Sequence, residues 1–190
     1  MRLLKIFPIV LILFLLPVKT FADAPDISYG RSEVNLLTGY YHLMDNVRLA
    51  VDNHGVKLVL TADDAKINIK EKNCLATGKV TLTHDEILFT CDKAFARWET
   101  ESADIVGKIN FKSKGNVTIT ADTATFNWKE KIADFYGKVK IKPDKNFKVD
   151  KNLKLGKGAY AHVRYNVVEN KILQLDKNFK DPKITVPDFQ

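Results

Sequence analysis

Apolar and polar residues alternate along most of this chain. From Asn116 to Ile141, one side collects Val117, Ile119 and Ala121, then Ala124, Phe126 and Trp128, then Ala133, Phe135, Gly137, Val139 and Ile141. A period of two is the mark of a strand with one buried face. Between Ala121 and Ala124 the parity slips, which predicts a bulge or sharp bend at Asp122 and Thr123 that returns both alanines to one face.

The same unit occurs twice more. Its inward positions are Leu58, Leu60, Ala62, Ala65, Ile67, Ile69, Cys74, Ala76, Gly78, Val80 and Leu82 in one copy. In the next they are Ile87, Phe89, Cys91, Ala94, Ala96, Trp98, Ala103, Ile105, Gly107, Ile109 and Phe111. Gly78, Gly107 and Gly137 are 29 and 30 residues apart, a spacing that signals a repeat architecture. No inward position is charged, whereas Lys66, Lys70, Lys79, Arg97, Glu99, Lys108, Lys138 and Lys140 fall outward. A sheet with one dry and one wet face follows.

Upstream, Tyr41, Leu43, Val47, Leu49 and Val51 alternate ahead of a turn at Asn53-His54-Gly55, and residues 23–33 read as a flexible lead-in. Beyond Ile141 the rhythm breaks in a Lys-rich insertion, residues 143–157, expected as a loop or weak strand. It resumes with Ala161, Val163 and Tyr165, a turn at Glu169-Asn170-Lys171 and Ile172-Leu173-Gln174-Leu175, a degenerate fourth unit. Pro182 and Pro187 end regular structure, so one domain over residues 34–180 is followed by a flexible tail, residues 181–190.

The chain opens with Arg2 and Lys5, an apolar run from Ile6 to Val18, and Thr20-Phe21-Ala22, which predicts a signal peptide cleaved after Ala22. The run is shorter than the roughly 20 residues a membrane span needs. Cleavage leaves one domain-sized chain, and the formal charge of +7 falls by the three basic residues lost. A remaining basic excess suits a soluble Lys-rich surface or contact with anionic headgroups, and an exported chain has little access to nucleic acid.

Candidate chemistry adds little. Cys74 and Cys91 both fall inward, where they form a disulfide or remain two buried free thiols. They lack Cys-x-x-Cys or His spacing for redox or metal chemistry, and no catalytic or metal-binding motif appears elsewhere. His42, His54, His84 and His162 lie in separate units and read as solvated strand or turn residues. Asp63, Asp92 and Asp122 recur at one repeat position, where Asp stabilises a bend by bonding its own backbone.

The unit Ala-Asp-x-Ala-x-Phe-x-Trp, a polar turn and Gly-Lys-Val-x-Ile resembles the repeat of the LptA/OstA-like family of periplasmic lipopolysaccharide-transport proteins, and Thr38-Gly39-Tyr40-Tyr41-His42-Leu43 with Asp45-Asn46-Val47 resembles its first strand. The resemblance covers residues 34–175. It implies an all-β fold, a β-jellyroll of bent antiparallel strands that is open at both ends and holds the acyl chains of lipid A. On the matched inward positions, lipid contact falls to Leu60, Ile67, Ile69, Val80, Phe89, Trp98, Ile109, Phe111, Ile119, Phe126, Trp128, Phe135 and Val139. It also implies edge-strand pairing with the jellyrolls of the inner-membrane export complex and the outer-membrane insertion complex, and head-to-tail assembly of copies. It implies no cofactor, and an enzyme is not expected, since nothing in the chain supplies a nucleophile and base together. Two alternatives stand beside a lipopolysaccharide carrier: an LptC-like component that keeps residues 1–22 as an anchor, and a structural β-repeat protein with a filled core.

Overall fold

In a computed structural model the chain is described over residues 26–53, 56–84, 87–113, 116–145, 147 and 153–187, with the backbone alone at 51–53, 56–58 and 84. The expected signal peptide, residues 1–22, lies outside the described residues. The alternating runs become β1 (Asp26–Ser28), β2 (Arg31–Asn35), β3 (Tyr40–Asn53), β4 (Val56–Asn68), β5 (Asn73–His84), β6 (Ile87–Arg97), β7 (Ser102–Ser113), β8 (Val117–Asn127), β9 (Ile132–Pro143), β10 (Tyr160–Asn166) and β11 (Lys171–Asp176). Short turns join most of them, and a short turn permits only an antiparallel neighbour. The sheet therefore runs from β3 to β11 in chain order. β2 and β1 divide the outer edge of β3 between them, opposite Tyr40–Met44 and Arg48–Ala50 respectively.

The fold is an open β-jellyroll of bent antiparallel strands, as the family resemblance implied. Part of the expected lead-in, by contrast, is structured, since β1 and β2 occupy it. Unpaired backbone groups along β3 offer a ladder to these segments. Arg31 Nε bonds Asp45 Oδ2 and Arg48 Nη1 bonds Asp26 Oδ2, each at 2.6 Å, and so fasten them.

Each long strand bends at its middle, and the pairings show how. Thr77 faces Lys93 and Val80 faces Cys91, so Gly78 and Lys79 together oppose Asp92. Likewise Gly107 and Lys108 oppose Asp122, and Asp45 and Asn46 oppose Asp63. The extra residues thus lie on odd-numbered strands, not at Asp122 and Thr123 themselves. Gly78, Lys79, Gly107, Lys108 and Gly137 adopt positive φ there. Asp122 also bonds differently from expectation: its Oδ2 accepts the Lys138 N–H of the next strand at 3.0 Å, not its own backbone. The predicted outcome nonetheless holds, for Ala121 and Ala124 are both buried.

Bending folds the sheet into two facing layers. Layer A holds the half-strands that run into the turns after β4, β6 and β8, and layer B holds the other halves. Those turns form a ladder of their own. Ile69 N–H donates to Gly39 O, Trp98 N–H to Lys72 O, Trp128 N–H to Glu101 O and Val167 N–H to Lys131 O, all at 2.9 to 3.0 Å. Four of the acceptor or equivalent turn positions, Lys72, Glu101, Lys131 and Asn170, hold positive φ without being glycine.

The main core lies between the layers toward the C-terminal strands and includes Ile109, Phe111, Ile119, Phe135, Val139, Val163 and Tyr165. Phe111 is its hub, with ring centroids 5.6 Å from Phe135 and 5.2 Å from Tyr165. A smaller cluster of Tyr41, Leu43, Val47, Ala65 and Ile67 lies toward β3 and β4. Where the Lys-rich insertion is described, Phe147, Leu153 and Leu155 pack against the main core outside any strand.

Candidate functional site

The inward face is sealed over some stretches and part-open over others. Of the positions assigned to lipid contact by resemblance, Val80, Ile109, Phe111, Ile119, Phe135 and Val139 are exposed by 2% or less. Ile67 is also buried, in the smaller cluster. Leu60, Ile69, Phe89, Trp98, Phe126 and Trp128 are only half-buried. The first group fills a core, while the second borders space that solvent reaches.

Side-chain size explains the difference. On the inward face of layer A, β6 and β7 present Ala94, Ala96 and Ala103, all half-buried, between the bulkier Trp98 and Phe126. An alanine reaches less far toward the facing layer, and Leu60, Leu82 and Phe89 of layer B are likewise only half-buried, so this strip of the inward face is a shallow slot that solvent partly reaches at the margin of the core. Further along the sheet, Phe135, Val163 and Tyr165 span the same gap and close it. The alanines were legible as inward positions, but only their neighbours' volumes reveal that they leave a slot.

A polar cap seals the filled end. Tyr165, fully buried, receives the Asn116 Nδ2 donor on its hydroxyl oxygen at 2.8 Å and donates to Asn170 Oδ1 at 3.1 Å. Ser113 Oγ donates to the same Asn170 oxygen at 2.6 Å, and Asn116 Nδ2 reaches Asn170 O at 2.6 Å. Burial pushes the Tyr165 hydroxyl above its ordinary pKa, against the bonds from Ser113 and Asn116, so it stays a neutral donor.

Cys74 and Cys91 are free thiols. Cys74 pairs with Ala96, five positions along β6 from Cys91, which is roughly 16 Å at strand rise and beyond disulfide reach. Burial, then the neighbouring Asp92, pushes the Cys91 thiol up to about 12. It is a small apolar filler of the core, and its thiolate form is disfavoured at neutral pH.

All four histidines were expected to be solvated; His54 lies outside the described residues, His84 is described by its backbone alone, and the structure corrects the expectation for His162. His162 is 4% exposed on the outward face of β10, with its Nε2 2.7 Å from Asp134 Oδ1. Its ring stacks on Tyr136 at 5.0 Å and on Phe179 at 4.4 Å, so the segment after β11 lies across this face. His42 is half-buried and has a matching contact, 2.6 Å to Asp64 Oδ2. Sequence parity placed both rings outward, and nothing in it announced that a later segment would cover one.

Residues 54–157, more than half of the chain, match the family described as OstA-like protein. The chain belongs to the OstA-like family. The match runs from β4 through β9 into the insertion, so it spans the three repeat units and the whole of the alanine-lined slot. A solved structure similar to this OstA-like chain is LptH, the LptA homologous periplasmic component of the conserved lipopolysaccharide transport device from Pseudomonas aeruginosa. The two are 8% identical with a TM-score of 0.47, over 56% of this chain and 78% of that one. A search of curated proteins returned no match.

Proposed function

We propose that this OstA-like protein is a periplasmic carrier of lipopolysaccharide, exported by a signal peptide cleaved after Ala22, that shelters acyl chains in the part-open stretch of its jellyroll. The observation that carries the reading is the inward alanine strip, Ala94, Ala96 and Ala103, which remains half-buried between Trp98 and Phe126. An uncharged slot walled by aromatics suits hydrocarbon, because each methylene removed from water gains about 0.8 kcal/mol. Lipid contact is accordingly assigned to Leu60, Ile69, Phe89, Trp98, Phe126 and Trp128. The sealed group, Val80, Ile109, Phe111, Ile119, Phe135 and Val139, is assigned to the supporting core. The outer edge of β11 pairs with no strand among the described residues, and β1 and β2 leave part of β3 uncovered. Such edges suit strand addition by neighbouring jellyrolls that would extend the path toward either membrane.

Photo-crosslinking in cells tests the slot. A crosslinker at Phe126 or Phe89 should capture lipopolysaccharide, and one at Thr125, on the opposite face of β8, should not. Equal capture at all three positions would sink the reading.

A further inference from the structure

The outward face of layer B carries a charge pattern that the acyl-chain slot does not use. Across β7, β8 and β9 the pairings set Lys112 beside Thr118 and Lys142, and Asn110 beside Thr120 and Lys140. At the bend, Lys108 and Lys138 flank Asp122. Lys108, Lys112, Lys138, Lys140 and Lys142 are all exposed, and none forms an ion pair among the described residues. They border an open depression of about 600 Å³ or continue its edge, and Asp122 is the one carboxylate lining it. That carboxylate already accepts the Lys138 N–H.

The outward face of layer A is built differently. There each acid has its own partner: Asp64 contacts His42, Asp104 bonds Arg97, and Asp134 contacts His162 and Arg164. Uncompensated positive charge is therefore gathered on one face of the sheet, opposite the apolar interior.

We infer that the Lys108–Lys112–Lys138–Lys140–Lys142 face docks on an anionic phospholipid bilayer. Strand spacing sets β7 and β9 roughly 10 Å apart, and Lys138 and Lys142 are separated by roughly 13 Å along β9. Charges spread over that area meet an array of headgroups, not a single phosphate. The patch contains lysine and no arginine, so it lacks the planar fork that clasps one phosphate in two-point fashion. Its backbone N–H groups between β7, β8 and β9 are engaged in the ladder, apart from the bends, which leaves no amide cradle for a lone anion. Strand side chains on this face point away from the interior, where the same half-strands present Ile109, Phe111, Ile119 and Val139 of the sealed core, so the bilayer contact and the acyl-chain slot occupy separate surfaces.

Sedimentation of the mature chain with vesicles tests the docking face without lipopolysaccharide, so its outcome is independent of the carrier reading. The protein should bind vesicles of phosphatidylcholine with 30 mole per cent phosphatidylglycerol and release at high salt, and should ignore pure phosphatidylcholine, the composition being of the order at which polybasic surfaces bind. Lysines near an anionic surface contribute roughly fivefold each, so Lys112→Glu with Lys140→Glu should weaken binding by at least about tenfold, and the paired alanine substitutions by somewhat less. Lys129→Glu with Lys131→Glu makes the same charge change at the opposite end of β8 and β9 and should alter binding by less than about twofold. Unchanged thermal melting of each variant verifies the fold. Equal loss in both charge-reversed pairs, no preference for the anionic vesicles, or selective displacement by inorganic phosphate at matched ionic strength would each overturn the inference.

Discussion

At the scale of single residues, the bend is the most demanding feature of the chain. Gly137 has φ +91°, and a methyl group placed on it would lie 2.5 Å from Asp122 Oδ2 and 2.8 Å from Asp122 Cβ. Gly137→Ala therefore combines backbone strain with a clash that displaces the acceptor of the Lys138 N–H, at a cost of about 2 kcal/mol or more. Urea unfolding of the variant measures it, and an unchanged midpoint would refute the argument. The bend was legible because Ala121 and Ala124 break parity. Its carriers were not, because sequence parity records which side a residue faces and not which of two paired strands holds the extra residue. Cys91 permits a second prediction. Its pKa is raised from near 9 to about 12, so between these values the unfolded chain releases a proton that the folded chain retains. That thiol thus favours the native state below about pH 9 and its contribution is lost as pH rises toward 12. Thiol titration should find it unreactive in the native protein near pH 8 and reactive in urea.

At the scale of elements, the jellyroll is two structures on one repeat. Phe111 of β7, Phe135 of β9 and Tyr165 of β10 meet across the layers, while the layer A halves of β6 and β7 present Ala94, Ala96 and Ala103, which remain half-buried. Phe135→Ala, in the sealed part, should cost about 3–5 kcal/mol, and Phe126→Ala, at the slot, under about 2 kcal/mol. Chemical denaturation of the two variants makes the comparison directly, and equal losses would mean that the slot is closed in solution. The long strands and their inward residues could be read from alternation, whereas the antiparallel jellyroll came only with the family resemblance, and β1 and β2 lay mostly in what read as a lead-in. Filling could not, because whether Phe126 lines a slot or plugs a core depends on what the facing layer supplies at that level. The outward surface near β9 and β10 was hidden for a related reason. Phe179 follows a stretch with no periodic signal, yet it covers His162 and Tyr136. Stacking of this kind is worth roughly 0.5–1.5 kcal/mol, so Phe179→Ala should lower stability by about that amount and increase hydrogen exchange in the segment that follows β11.

At the scale of the molecule, charge and apolarity are sorted onto separate surfaces, with the slot inside, paired ions outside layer A and free lysines outside layer B. Proposed export has its own test, since amino-terminal sequencing of the protein isolated from cells should begin at Asp23. A start at Met1 would favour the anchored alternative instead. The ladder of turns has one more consequence, and it concerns how the chain reaches this shape. Because every strand from β3 onward pairs with the strand before it in sequence, no pairing waits for a distant segment, and the backbone can zip from any hairpin outward. Local pairing of this kind also makes the chain divisible, as in other arrays whose units touch only their neighbours. Excising residues 79–107 would join Gly78 to Lys108, remove two strands and keep both the alternation and the hand of the sheet. The shortened chain should still show strand circular dichroism and unfold in one transition, at a lower midpoint than the parent. The eleven strands of the described residues are then one length among several that this repeat can build.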